Sequence, residues 1–197
     1  MGNINMGMYF HAICIGITQS YTGTLFVEDR VAYDFLSIIL EDKAPYILKK
    51  YTIDVAEGGE KAITYRLEFP SSDKIKYNFI GIYDGDMRER LDTSKLNWKW
   101  LFLPGNKALE ELYREYLHVP ENLEKFCEIV GKEKQQIITM LATIDGNDYH
   151  DWFEELRKFL GIDGKMLVRN FYRIMQEMDK EIEGKRLILG WMASTMY

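Results

Sequence analysis

Thr24-Leu25-Phe26-Val27-Glu28-Asp29 and, further along, Phe79-Ile80-Gly81-Ile82-Tyr83-Asp84-Gly85-Asp86 decide the fold. Each is a short apolar run closed by acids. Such a run, bounded by turn residues, fits a strand buried on both faces, as in a parallel sheet. In an open α/β sheet, ligands gather beyond the carboxyl ends of the strands. Carboxylates delivered there by two strands meet in one crevice. Hard cations such as Mg²⁺ take oxygen ligands of that kind. The pattern implies a metal site suited to phosphodiester chemistry.

The residues around these runs alternate helix and strand. Arg30 to Glu41 carries Val31, Phe35, Leu36, Ile38 and Ile39 at helical spacing, and Lys43-Ala44-Pro45 ends it. Tyr51 to Ala56 reads as a second strand running into Gly58-Gly59, and a weak helix or an irregular crossover follows through Ala62 to Phe69. Pro70-Ser71-Ser72-Asp73 is loop chemistry. Trp98 to Leu103 is a fourth apolar stretch, closed by Pro104-Gly105 and followed by a helix from Asn106 to Tyr116. Strands spaced by helices imply a parallel sheet.

Beyond residue 119 the pattern becomes helical. Glu121 to Ile144 is one helical stretch, with Pro120 in its first turn and Gly131 as a point of interruption. Asp151 to Leu160 puts Trp152, Phe153, Leu156, Phe159 and Leu160 on one face, stopped by Gly161. Asp163 reads as the N-cap of a helix through about Glu183. The expected architecture is α/β: a parallel sheet flanked by helices over residues 1–119, then a helical extension over 120–197.

Apolar residues make up 47% of the 197-residue chain, enough for a sizeable core and against wholesale disorder. The formal net charge of −6 counts against a large nucleic-acid footprint on this chain alone. Clustered acids at a metal site would themselves lower the sum. Cys14 and Cys127 have no Cys or His at zinc-finger spacing and make no disulfide framework. This usage fits a cytoplasmic protein. No stretch reaches the roughly 20 apolar residues a membrane span needs. Met8 to Ile17 lacks a basic flank and reads as a lead-in to the first strand.

Each acidic cluster also has a plainer reading. Asp84-Gly85-Asp86 uses residues favoured in turns. An EF-hand loop fails, because its glycine and glutamate positions hold Glu89 and Lys95. Asp29 would serve as a helix cap or favourable first-turn acid. Glu28 has less structural excuse at a strand end.

The joint pattern is apolar strand, Glu28, helix, then strand with Gly58-Gly59, then apolar strand with Asp84 and Asp86. It resembles the Toprim domain, the acidic metal-binding module of topoisomerases, bacterial primases and the nucleases of the OLD family. Val27-Glu28-Asp29, the Leu103-Pro104-Gly105 stretch with Glu110 after it, and Tyr149-His150-Asp151-Trp152-Phe153 look most like the Toprim half of OLD-family ATP-dependent endonucleases. The resemblance spans roughly residues 20 to 160. It implies a divalent-metal-dependent endonuclease using Mg²⁺ or Mn²⁺, with Glu28, Asp29, Asp84, Asp86 and Glu110 as metal residues. It also implies nucleic acid as substrate, DNA ahead of RNA, an ABC-type ATPase as separate chain or missing domain, and a role in anti-phage defence. Cleavage of RNA or tRNA and a non-catalytic ATPase-binding scaffold remain as alternatives.

Two departures stand out. Ala32 occupies the place, four residues after the Glu, where many Toprim nucleases carry another Asp, which puts Asp29 or Asp34 in its stead. No Gly-x-x-x-x-Gly-Lys-Ser/Thr motif is present, so ATP would not bind here by that route. A cation near the metals would stabilise transition-state charge. Lys107, Lys158, Lys165 and Arg169 are candidates, with Lys158 preferred because it follows the His150 region. Arg88 and Arg90 are either backbone contacts to nucleic acid or solvated loop residues. His150 reads equally as a hydrogen-bonded structural residue and as one that touches phosphate or steadies a ligand. The many aromatics and the helical tail also fit a homo-oligomer.

Overall fold

All five residues of the first strand, β1 (Gly23–Val27), are buried, as a central parallel strand requires. The computed structural model describes residues 21–71 and 77–179. Helix α1 (Arg30–Lys43) follows β1, then the short α2 (Pro45–Leu48), β2 (Tyr51–Val55), α3 (Gly59–Glu68) and β3 (Asn78–Tyr83). Two 3₁₀ turns, Gly85–Arg88 and Thr93–Lys95, lead to β4 (Lys99–Phe102). Five helices complete the described chain: α4 (Leu109–His118), α5 (Pro120–Val130), α6 (Lys134–Ile144), α7 (Tyr149–Leu160) and α8 (Gly164–Asp179). The four strands form one sheet in the order β2-β1-β3-β4, and each neighbouring pair is parallel. The α/β architecture with a parallel sheet, flanking helices and a helical second half is the one expected.

Alternation along the strands sorts the two faces. Leu25, Val27, Ile80 and Ile82 enter the larger core with Phe35, Leu36 and Ile39 of α1. Phe26 and Tyr83 face the other way, onto Ile63 and Leu67 of α3. Gly81 lets α3 approach that face. A Cβ there would lie 2.5 Å from Leu67 Cδ1 and 2.7 Å from Ile63 Cγ2. The expected weak helix begins at Gly59 rather than Ala62, so the whole of it crosses the sheet.

One buried cluster runs from Leu25 of β1 to Met175 of α8, so the helical half packs directly on the sheet half. Tyr113 of α4 ties the two by stacking on Phe171 of α8 at 4.3 Å, and within the helical half Phe126 of α5 meets the same ring at 5.2 Å. Such pairs add about 0.5–1.5 kcal/mol each beyond the area they bury. Gly131, at φ +65°, divides the long helical stretch into α5 and α6. Asp163 caps α8 by accepting from the Met166 N–H at 2.7 Å. The helix expected from Asn106 starts three residues later, at Leu109, because Gly105 turns at φ +89° and Ala108 is still extended.

Among the described residues no helix is long and apolar enough to cross a membrane. The lead-in Met8–Ile17, Cys14 and the part of the expected last helix beyond residue 179 lie outside the described residues.

Candidate metal centre

Strand register brings the first two acidic clusters together. Val27 pairs with Ile82, so Glu28 leaves β1 level with the Tyr83–Asp84 step of β3. Glu28 Oε1 accepts the Asp84 backbone N–H at 2.8 Å. The third segment arrives through β4. Leu103 N–H donates to the Tyr83 carbonyl at 2.7 Å, placing Leu103-Pro104-Gly105 on the same carboxyl rim. Gly85 is required at that contact. A Cβ on it would meet the Gly105 carbonyl oxygen at 2.6 Å. Between Asp84 and Asp86, glycine therefore admits the neighbouring loop that carries the chain to Glu110.

Glu110 sits in the first turn of α4, where the helix N-terminus favours an acid. Its side chain is nearly wholly buried, and Oε1 lies 2.9 Å from His150 Nδ1 at the start of α7. Asp29 caps α1, accepting the Ala32 N–H at 2.8 Å. Ala32 itself is buried in the core, so the position offers a hydrogen-bonded backbone and no ligand. Among the described residues, Asp29, Glu110 and His150 are the group of three whose potential ligand atoms all lie within 4.8 Å of one another.

The electrostatics of the rim are one-sided. Burial, with Asp86, Glu60 and Asp29 adding to it, raises the Glu28 pKa from 4.5 to about 7 against the Asp84 hydrogen bond. Burial pushes Asp84 well above the usual carboxylate range, and Glu28, Asp29, Glu110 and Asp86 all add to the shift. Glu110 is raised by burial and by Asp29, with His150 opposing. Tyr113, one turn after Glu110, is raised by burial, Glu110 and Asp84. Asp84 Oδ1, Glu110 Oε2 and the Tyr113 hydroxyl are buried without a hydrogen-bond partner. A buried unpaired oxygen, charged above all, is costly. A cation coordinated by Asp84 and Glu110 would remove that cost, and oxygen donors of this kind fit a small divalent ion.

The remaining expected residues divide sharply. Asp86 lies on the 3₁₀ turn after β3 and pairs with Arg90. With Asp86 held there and Glu28 engaged on the Asp84 backbone, Glu28, Asp84 and Asp86 are neighbours at the rim without forming the tightest group. Asp34 faces Arg30 at 3.1 Å and lines a cleft instead of replacing the missing acid. Lys158 is exposed and bonds Glu155 at 2.8 Å, on the same helix as His150 but about 12 Å along its axis. Lys107 pairs with Glu111 and Glu115. Lys165 and Arg169 both reach Glu41. Arg88 is structural: its guanidinium donates to the Leu103 and Gly105 carbonyls and covers the Phe102 ring.

A cleft of about 700 Å³ opens beside Glu110 and His150, lined also by Arg30, Asp34, Arg157 and Lys165. It gives Glu110 and His150 a route to solvent.

Comparison of the chain with protein-family models, with curated proteins and with solved structures found no match.

Proposed function

We propose that the chain is a Toprim-like, OLD-like metal-dependent endonuclease that hydrolyses phosphodiester bonds of DNA. The observation that carries the reading is the gathering of acids from separate segments at one carboxyl rim, with buried Asp84 and Glu110 oxygens that no protein group satisfies. Glu28, Asp84 and Asp86 would hold one or two Mg²⁺ or Mn²⁺ ions, with Asp29 and Glu110 supporting. Bound there, such ions supply Lewis acidity and an activated water at the scissile phosphate.

The chain's own part is to present and protonate these groups correctly. Glu28, raised to about 7, carries a proton for much of its time near neutrality in the metal-free protein. Ion binding displaces that proton, so affinity rises with pH across this range. Gly85 holds the Asp84–Asp86 turn against Gly105, fixing the two acids relative to Glu110. The described basic side chains near the rim are engaged: Arg90 by Asp86, Lys107 by Glu111 and Glu115, Arg30 by Asp34. With a net charge of −6, the chain would take most of its nucleic-acid grip from elsewhere. An ABC-type ATPase, as a partner chain or another domain, meets that need and fits a role in defence against phage.

The test is cleavage of plasmid DNA and of tRNA by the purified chain with Mg²⁺ or Mn²⁺, alone and with a candidate ATPase. Divalent-dependent DNA cleavage that disappears in a folded Glu28→Ala protein is the expected result. Cleavage of tRNA alone would move the substrate to RNA. Tight ATPase binding with neither substrate cut would make the chain a scaffold, the reading to which Ala32 points.

A further inference from the structure

We infer that Asp29, Glu110 and His150 form a mixed nitrogen–oxygen site for a first-row transition ion, with Mn²⁺ as its probe, beside the all-oxygen position of Glu28, Asp84 and Asp86. The inference rests on the metal reading of this rim, but not on its being a nuclease.

Three unrelated segments supply the group. Asp29 comes from the N-terminus of α1, Glu110 from the first turn of α4 and His150 from the first turn of α7. Their candidate ligand atoms lie within 4.8 Å of one another. Ligand atoms around a small divalent ion sit about 2.1 Å from it, hence at most about 4.2 Å apart. Closing the group onto an ion therefore needs movements of less than about an ångström at each ligand atom.

The plain alternative is a histidine–glutamate ion pair with an ordinary helix cap beside it. The state of Glu110 argues against that. Its residue is 2% exposed, Oε1 is used by His150, and Oε2 is buried with no partner. An ion pair built for stability would leave the second oxygen in water or on a donor. Asp84 Oδ1 is likewise buried and unpartnered, and Asp84 senses both Glu110 and Asp29. Asp29 uses Oδ1 on the Ala32 N–H, which orients the carboxylate and leaves its other oxygen for a ligand. The His150 side chain is 57% exposed and borders the cleft, so an ion has a way in to the imidazole.

Ligand chemistry gives the class of ion. An imidazole nitrogen suits transition ions, whereas Mg²⁺ keeps oxygen and water ligands. The two poles of the rim would then differ. The carboxylates on the β1 and β3 ends take Mg²⁺ or Mn²⁺ alike, while the α1–α4–α7 pole discriminates between them.

The experiment is Mn²⁺ titration of the metal-free chain, followed by loss of the free-ion EPR signal and by pulsed EPR for ¹⁴N coupling. Wild type should bind a Mn²⁺ that shows imidazole nitrogen coupling and resists displacement by excess Mg²⁺. His150→Ala, at an exposed position where folding is checked by circular dichroism, should lose the coupling and bind at least about tenfold more weakly. Asp29→Asn, which keeps the cap acceptor, should weaken the same ion, and Glu28→Gln should retain its nitrogen coupling. Wild-type Mn²⁺ without nitrogen coupling, or unchanged affinity in folded His150→Ala, would overturn the site. Nitrogen-coupled Mn²⁺ on a chain that cuts no nucleic acid would sustain this site while removing the nuclease. Full Mg²⁺-dependent cleavage by His150→Ala, with no nitrogen coupling in wild type, would do the reverse.

Discussion

The carboxylates at the strand ends and those on the helix surfaces are built on opposite plans. On the helix surfaces several acids have a countercharge beside them. Lys134 holds Glu124 below its ordinary pKa, and Arg157 does the same for Glu154. At the rim, Glu28, Asp84 and Glu110 are buried among one another and shifted upward. The surface acids are complete within the fold. Glu28 and Asp84 have no basic side chain paired with them, and Glu110 has only the exposed His150, so protons or a bound cation would supply the missing charge.

The largest effect expected from that contrast is on activity. Asp84→Ala should lower divalent-dependent cleavage at least about a hundredfold, the scale seen when one group stabilising a transition state is removed. Retained cleavage in a folded variant would break the comparison at its centre.

Next comes the response to ions and pH. Glu28, Asp84 and Glu110 all titrate higher in the folded chain than in the unfolded one, so the metal-free native state binds more protons. Their contribution to stability is fully present below about pH 4.5 and is lost as pH rises through about 7, the Glu28 value. Above that window, divalent ion at about a hundred times its Kd should add about 2.7 kcal/mol, or roughly 5–10 °C of Tm. Glu28→Gln keeps an acceptor for the Asp84 N–H and removes a charge. It should therefore raise the metal-free Tm at alkaline pH and shrink the gain from ion. Calorimetry across pH, with and without Mn²⁺, reads both. A metal-free Tm that rises with pH over this window would show that the rim acids are not strained.

Gly85→Ala tests the backbone rather than the charges. With its Cβ at 2.6 Å from the Gly105 carbonyl, it should cost about 1–3 kcal/mol in denaturant unfolding and separate Glu110 from Asp84. The smallest effect belongs to the surface. Lys158→Ala removes only the exposed contact with Glu155, so stability should move by less than about 0.5 kcal/mol and cleavage by about twofold at most. A large loss of cleavage would restore Lys158 as a transition-state cation and require α7 to approach the rim.

Much of the fold was legible because its signals are local. Apolar runs ending in acids marked β1 and β3, Gly131 and Gly161 marked helix stops, and Asp163 marked a cap. The start of α4 was misplaced because Gly105 turns at positive φ and Ala108 stays extended, which helix periodicity does not register. At the site, Glu28 and Asp84 were readable as strand-end acids. The place of His150 was not. Glu110 and His150 are 40 positions apart on separate helices, and no spacing rule joins them. Asp86 looked equivalent to Asp84 in the sequence, yet one residue of 3₁₀ turn directs it to Arg90.

The sequence by itself determined which residues form a parallel sheet and which acids stand at its strand ends, because burial periodicity and turn chemistry act within a few positions. Tertiary structure alone decided which of those acids share one space and which histidine joins them. That depends on strand register, on the close pass of Gly85 by Gly105, and on the packing of α4 and α7. These are contacts between distant segments, and their energies appear only when the chain has closed on itself.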